Sequence, residues 1–391
     1  MTQDHNETSE EQATEGQSAE NQSAENQSGE NQTVSDVEQN SQESFEQYTE
    51  TKPSFVQKVK AMFSGKSNGW NPIKQKKTIL ITLLVIVVVQ IAYGLYVSQN
   101  VSQFDINQRA KLAYATTGFT GPMPVGFVST NTLIEVANTL VDKPGGYITN
   151  DIFPLSLMLD NMPNWEFGVL VQVRDFASVM RQDFSRSQNN SIEDPNLSLA
   201  EPSFNQDSNK WMFPATEKII KAGIEFTDNY RINLADPEST VVHFYSRSDN
   251  LVVWLKKVES RLGSYSQRLS SAVEQPNSAV HTDKQNTPKI TSTWTQIDDV
   301  FYEARGASWA ILHLLKAAQV DFKDVLIDKN AEFILEQIIF ELEATQQSVW
   351  SPVILNGDGF GLVANHSLVL ANYISRANSA LAQLQRLLEN G

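Results

Sequence analysis

Residues Thr78 to Tyr96 read TILITLLVIVVVQIAYGLY, nineteen positions without a charge. A helix rises 1.5 Å per residue, so this run reaches about 28 Å, against a bilayer hydrocarbon core of about 30 Å. The chain therefore divides around a segment suited to cross a membrane as a helix. Its flanks set a direction. Lys58, Lys60, Lys66, Lys74, Lys76 and Lys77 precede it, whereas the first thirty residues beyond it offer only Arg109 and Lys111. The positive-inside rule then predicts a cytoplasmic N-terminus, with residues from about 97 onward on the far side. Trp70 on one flank and Tyr93 and Tyr96 on the other suit the two interfaces. A cleaved secretory signal is the competing reading. The 77 residues ahead of the run and the run's own length favour an uncleaved anchor.

Charge is distributed in blocks. The formal net charge of −16 includes −13 from residues 1–51, which hold 13 acids and no Lys or Arg. Residues 52–77 carry seven lysines and no acid, which leaves −10 for 78–391. That balance argues against a nucleic-acid-binding body, which needs a basic face to displace counterions from phosphates. Residues 1–51 repeat a polar unit (Ser18–Gln22, Ser23–Gln27, Ser28–Gln32) that has no face to bury, so a disordered tail is expected there. Within 52–77, Phe55, Val59, Met62 and Phe63 share one helical face bordered by lysines, a pattern suited to anionic headgroups or to a plain linker. The expected organisation is a tail at 1–51, a basic juxtamembrane segment at 52–77, a membrane helix at 78–97 and a helical domain at 98–391.

The far-side region reads as helices. Val241, Phe244, Ser248, Leu251, Leu255, Val258, Leu262, Tyr265, Leu269 and Ala272 recur at spacings of three and four, and so do Val363, Ser367, Leu370, Ile374, Ala377, Leu381, Leu384 and Leu388. Shorter stripes run from Val300 through Ala304, Ala307, Ile311 and Leu315 to Ala318, and from Ala331 through Ile334, Ile338 and Leu342 to Thr345. Narrow seams on long helices pack at shallow angles, predicting an all-α long-helix bundle in which Ala304, Ala307 and Ala377 allow close approach. Trp165–Val173 alternates like a strand, but its apolar pattern continues through Phe176 and Met180 to Phe184, which favours helix. Pro163, Pro214 and the turn at Asn356–Gly361 mark helix starts. Gln188–Phe213 and Glu274–Thr293 read as loops. The seams fit either coiled coils between chains or the interior of one bundle. Several in one chain can satisfy each other, so the bundle interior is the expected use, with a homo-oligomer as the other.

Candidate chemistry is sparse. The chain has no cysteine, and its five histidines (His5, His243, His281, His313, His366) are dispersed. No Glu-x-x-His or His-Glu-x-x-His spacing occurs, so no metal site and no cofactor is expected. A polar cleft could be lined by Glu166, Glu303, Arg305, His313 and His366. The alternative for such charges is Arg–carboxylate pairing that fixes helix register. Gly357, Gly359 and Gly361, just before a helix, could present N–H groups to an anion, although glycines at such a turn also serve plain backbone geometry. No predicted strand precedes them, so the dinucleotide and nucleophile-elbow contexts are both missing.

Five strings, Leu159–Asp175, Ile297–Gly306, Trp350–Gly361, Ala364–Leu368 and Ala371–Asn378, resemble a family of Gram-negative bacterial membrane proteins catalogued as a domain of unknown function. The resemblance covers roughly residues 75 to 391. It implies an inner-membrane setting and carries over no activity and no site residue. The combined expectation is a single-pass inner-membrane protein with its C-terminal domain in the periplasm. That domain would bind or scaffold, touching lipid through the anchor and a protein partner in the envelope, with no nucleic acid involved. The alternative is an envelope hydrolase acting on glycan or lipid headgroups through Glu303 with His313 or His366.

Overall fold

The computed structural model describes residues 72–97, 101–151, 161–187, 192–271, 294–349, 354 and 364–390. The regular structure among these residues is helical, with no strand. Residues 1–71, and with them the acidic repeat and the Phe55–Phe63 face, lie outside the described residues. So do Val363, the Asn356–Gly361 turn and the whole of the expected loop at Glu274–Thr293.

The apolar run forms helix α1 (Pro72–Val97). Its stretch Lys76–Gly94 is long and apolar enough to cross a membrane, and none of it is buried in the protein. Its large apolar side chains from Ile79 to Ile91 are open to the surroundings, whereas its last residue, Val97, is only 1 % exposed. The helix thus ends inside the apolar core of the compact unit that spans residues 79–391.

That unit is built from α2 (Ile106–Thr116), α3 (Phe127–Asp142), α4 (Asn161–Val179), α5 (Pro195–Phe204), α6 (Thr216–Ala235), α7 (Ser248–Ser271), α8 (Trp294–Asp321), α9 (Lys323–Asp328), α10 (Glu332–Ala344) and α11 (His366–Asn390). A single π turn, Met180–Phe184, extends α4. The ambiguous segment Trp165–Val173 is helix, because Trp165, Val169, Val173 and Phe176 then share one buried stripe.

Two pairings organise the interior. Helices α4 and α8 run side by side through glycine: a methyl built on Gly168 would strike the Glu303 carbonyl oxygen, and one on Gly306 the Trp165 carbonyl oxygen. Ala304 and Ala307 continue this smooth face, both fully buried. The two long seams, α7 and α11, pack antiparallel against each other. Ser248 Oγ donates to Leu388 O at 2.6 Å near one end, and Ser266 Oγ to Ala371 O at 3.3 Å toward the other. The seams are therefore used within one chain.

The first seam starts later than its spacing suggests. Residues 241–247 are not helical and Val241 is 81 % exposed, while Tyr245 N bonds to Phe184 O at 2.7 Å and the Phe244 ring packs at a tilt on Phe184 and edge-to-face on Phe322. The expected loop Gln188–Phe213 also contains a helix, α5. Asp194 caps it by accepting from Asn196 N and Leu197 N, Pro195 occupies the first turn, and Leu197, Ala200 and Phe204 are buried.

Helix α3 is capped from a distance. Its N-cap, Gly126, has φ +89°, and a methyl there would strike the Phe244 ring, so only glycine fits. The carboxylate of Asp321, at the far end of α8, accepts from Gly126 N at 2.9 Å and Ser129 N at 2.6 Å. Burial raises the Asp321 pKa, while these amides oppose the rise.

Candidate functional site

Glu166, on α4, is fully buried and pairs with the Lys143 ammonium, whose side chain is 2 % exposed. It also accepts from Ile148 N at 2.9 Å, Thr149 N at 2.9 Å and the Thr149 hydroxyl. These bonds use its lone pairs to hold the 143–150 loop, leaving none directed at a cleft.

Glu303 clamps Arg268 with two bonds, 3.0 and 2.6 Å, which ties α8 to α7. Other register pairs are Arg261 with Asp175 at 2.7 Å and Arg376 with Glu341 at 2.7 Å. Arg–carboxylate pairing thus describes Glu303 better than an open cleft does.

His313 is fully buried on α8. Nδ1 lies 2.7 Å from Trp309 O, Nε2 accepts from Phe104 N at 3.2 Å, and the ring stacks on Phe104 at 4.2 Å. A donor at Nδ1 and an acceptor at Nε2 specify one neutral tautomer. Burial lowers its pKa to about 4. His313 is a neutral pin for the chain leaving α1.

Arg305 and His366 are brought together. Both line a cavity of about 330 Å³ walled by α8, the end of α10 and the start of α11. Phe301, Val349, Val369 and Leu370 give it apolar walls, and Thr345, Asn365 and Tyr373 add polar groups. This volume lies at the lower end of the range for small-molecule sites. Asn365 caps α11 by accepting from Leu368 N at 2.8 Å, so the positive end of a 25-residue helix borders the cavity. The five residues of the expected cleft therefore do not converge; two of them meet here.

Arg305 is the unusual member. It is 5 % exposed, yet among the described residues no carboxylate pairs with it. Its bonds run to Gln346: Nη2 donates to the Gln346 carbonyl at 3.1 Å, and Gln346 Nε2 donates back to the Arg305 carbonyl at 3.2 Å. Burial lowers the guanidinium pKa from its ordinary value, but arginine stays charged at neutral pH. Burial also lowers the pKa of His366. The positive charge beside this cavity is thus borne by Arg305 and the helix end.

Other hollows balance themselves. The groove between α2, α3 and α6, about 520 Å³, sets Arg109, Lys221 and Arg231 against Glu135, Glu225 and Asp228. Arg109 lies 3.7 Å from Glu135. Among the described residues no group of three His, Asp or Glu could hold a metal ion. Gly357, Gly359 and Gly361 lie outside the described residues.

Fold and cavity define a class: an all-α protein with one candidate membrane helix and a buried arginine, without an acid among the described residues, facing a small amphiphilic cavity. The chain belongs to the family described as "Uncharacterized protein conserved in bacteria (DUF2333)", whose model matches residues 70–391. Neither the curated proteins nor the solved structures contain a match.

Proposed function

We propose that this chain is a single-pass protein of the bacterial inner membrane, with α1 as a retained anchor, the N-terminus in the cytoplasm and the helical unit in the periplasm. In this reading the helical unit is a binding domain, and the Arg305 cavity takes a small amphiphilic anion, a carboxylate or phosphate monoester on a short apolar chain. An anion supplies the missing counter-charge, and Phe301, Val369 and Leu370 take the chain. The observation that carries the reading is the buried guanidinium, beside which no described residue places an acid. Binding is favoured over hydrolysis because Glu166, Glu303 and His313 are all occupied by structural bonds. The lysine asymmetry around α1 and its exposed apolar side chains support the topology.

Octyl phosphate, octanoate and the neutral octyl glucoside, added to the full chain in nanodiscs, test the binding. The two anions should raise the melting temperature, and Arg305→Gln should remove that effect. Equal stabilisation by the glucoside, or an undiminished anion effect in Arg305→Gln, would refute the site. Reporter fusions at the C-terminus test the topology: a reporter active only in the periplasm supports it, and one active only in the cytoplasm overturns it. An envelope protein partner belongs to the same reading. In-cell cross-linking of the full chain should trap one, and recovery of nothing but the chain itself would oppose that part.

A further inference from the structure

Three large apolar side chains stand in succession on one loop: Trp211, 54 % exposed, Met212, 44 %, and Phe213, 92 %. The loop is held at its base. Lys210 N donates to Thr216 Oγ1 at 3.1 Å, Thr216 N donates to Lys210 O at 2.9 Å, and Asn150 Nδ2 donates to the same carbonyl at 2.9 Å. Phe213 takes a φ of +51°, a conformation an aromatic residue rarely adopts. Nothing among the described residues covers the tip, although its anchoring bonds keep it in one place.

Its position within the unit gives the trio a meaning. Asn150 lies in the segment that follows α3. The same loop places Gly145 so tightly against Val97 that an added methyl would lie 3.0 Å from Val97 Cγ2. Val97 is the last residue of α1. Glu217, at the start of α6, also reaches this loop by accepting from Tyr147 N at 3.2 Å. A short series of direct contacts therefore joins the exit of the apolar helix to Lys210, the residue from which the Trp211–Phe213 tip extends. Where α1 leaves a bilayer, the loop packed on its last residue lies at the headgroup level, and the tip is the neighbouring surface.

We infer that Trp211, Met212 and Phe213 form a second membrane contact, inserted at the headgroup–acyl boundary of the leaflet through which α1 exits. The inference rests on the anchor reading above. A tryptophan, a methionine and a phenylalanine beside a lysine match the chemistry of that boundary, where apolar bodies are buried and polar tips stay wet. Lys210 and Lys218 are offset nearby by Asp207 and Glu217, so the contact depends on apolar area more than on anionic lipid. Two contacts on one rigid unit would fix the tilt of the helical domain on the membrane, which a single flexible tether would not.

The absence of cysteine makes the test clean. Nitroxide labels at Met212→Cys, Ile86→Cys and Ile192→Cys, one per full-length chain in phosphatidylcholine nanodiscs, are compared by oxygen and nickel-chelate accessibility. The label at 212 should show an oxygen-to-nickel ratio several-fold above that at 192, approaching the lipid-facing value at 86. In discs of brominated phosphatidylcholine, Trp211→Phe should also lose part of the tryptophan quenching. A water-like ratio at 212 with a lipid-like ratio at 86, or unchanged quenching in Trp211→Phe, overturns the second contact and leaves the anchor standing. A water-like ratio at 86 overturns the anchor itself.

Discussion

Lys143 and Arg305 are both buried cations, yet they are treated in opposite ways. Lys143 faces the Glu166 carboxylate, and the loop around it donates the remaining hydrogen bonds that the acid accepts. Arg305 faces a cavity, with a glutamine carbonyl as its protein acceptor. Desolvating a charge costs several kcal/mol unless a partner returns that energy. At Lys143 the partner is covalently part of the chain; at Arg305 it would be a ligand. A core that neutralises one cation with an acid and, among the described residues, gives another only a carbonyl separates structural charge from binding charge.

Breaking the paired cation should have the largest effect. Glu166→Gln leaves the Lys143 ammonium buried without its acid, and a loss of about 3–5 kcal/mol is expected in chemical denaturation. A loss under about 1 kcal/mol would mean that the pair behaves like one exposed to solvent.

His313 sharpens the comparison by being a buried base kept neutral. Its pKa falls from 6.5 unfolded to about 4 folded, so the unfolded chain binds the proton more readily between those values. The stability it contributes is complete above pH 6.5 and is lost as pH drops toward 4, by roughly 3 kcal/mol at most. His313→Gln should flatten that part of the pH–stability curve, read from melting temperatures at intervals across the window.

The helix contact that carries both Glu166 and Arg305 allows a third test. Gly168→Ala would press a methyl onto the Glu303 carbonyl, and overpacking of this kind costs about 1–3 kcal/mol. Because Arg305 directly precedes Gly306, which packs on Trp165 of α4, anion-induced stabilisation should weaken in parallel with the fold. The smallest expected effect on stability is at Arg305 itself. Arg305→Met removes an uncompensated charge while keeping most of the volume, so stability should change by less than about 1 kcal/mol or rise.

Most helices of this fold were legible from spacing. The α7 and α11 seams, the α8 stripe and the helical reading of Trp165–Val173 all correspond to buried faces. Helix α5 was legible too, since Asp194-Pro195 is a cap followed by a first-turn proline, but the prolines at 195 and 202 read as loop punctuation. The false start at Val241 arose because apolar spacing continues through an extended segment whose Phe244 packs in the same core. The glycine contact between α4 and α8 left only Ala304 and Ala307 as its trace, because a single glycine in a helix has many causes.

The candidate site was harder to read for a physical reason. Whether a charge is free depends on partners far away in the chain: Glu166 meets Lys143, Glu303 meets Arg268, and Asp321 caps a helix 195 residues before it. Spacing along one helix shows none of these. Arg305 and His366 were both candidates, but what marks Arg305 is a missing partner, and an absence leaves no pattern in a sequence.

Arg305→Met in the full chain, measured for both stability and octyl phosphate binding, bears most directly on the contrast between the two cations. The expected result is a protein at least as stable as the parent that no longer binds the anion. Destabilisation as large as that of Glu166→Gln, or binding that survives the substitution, would show that Arg305 is a structural charge like Lys143.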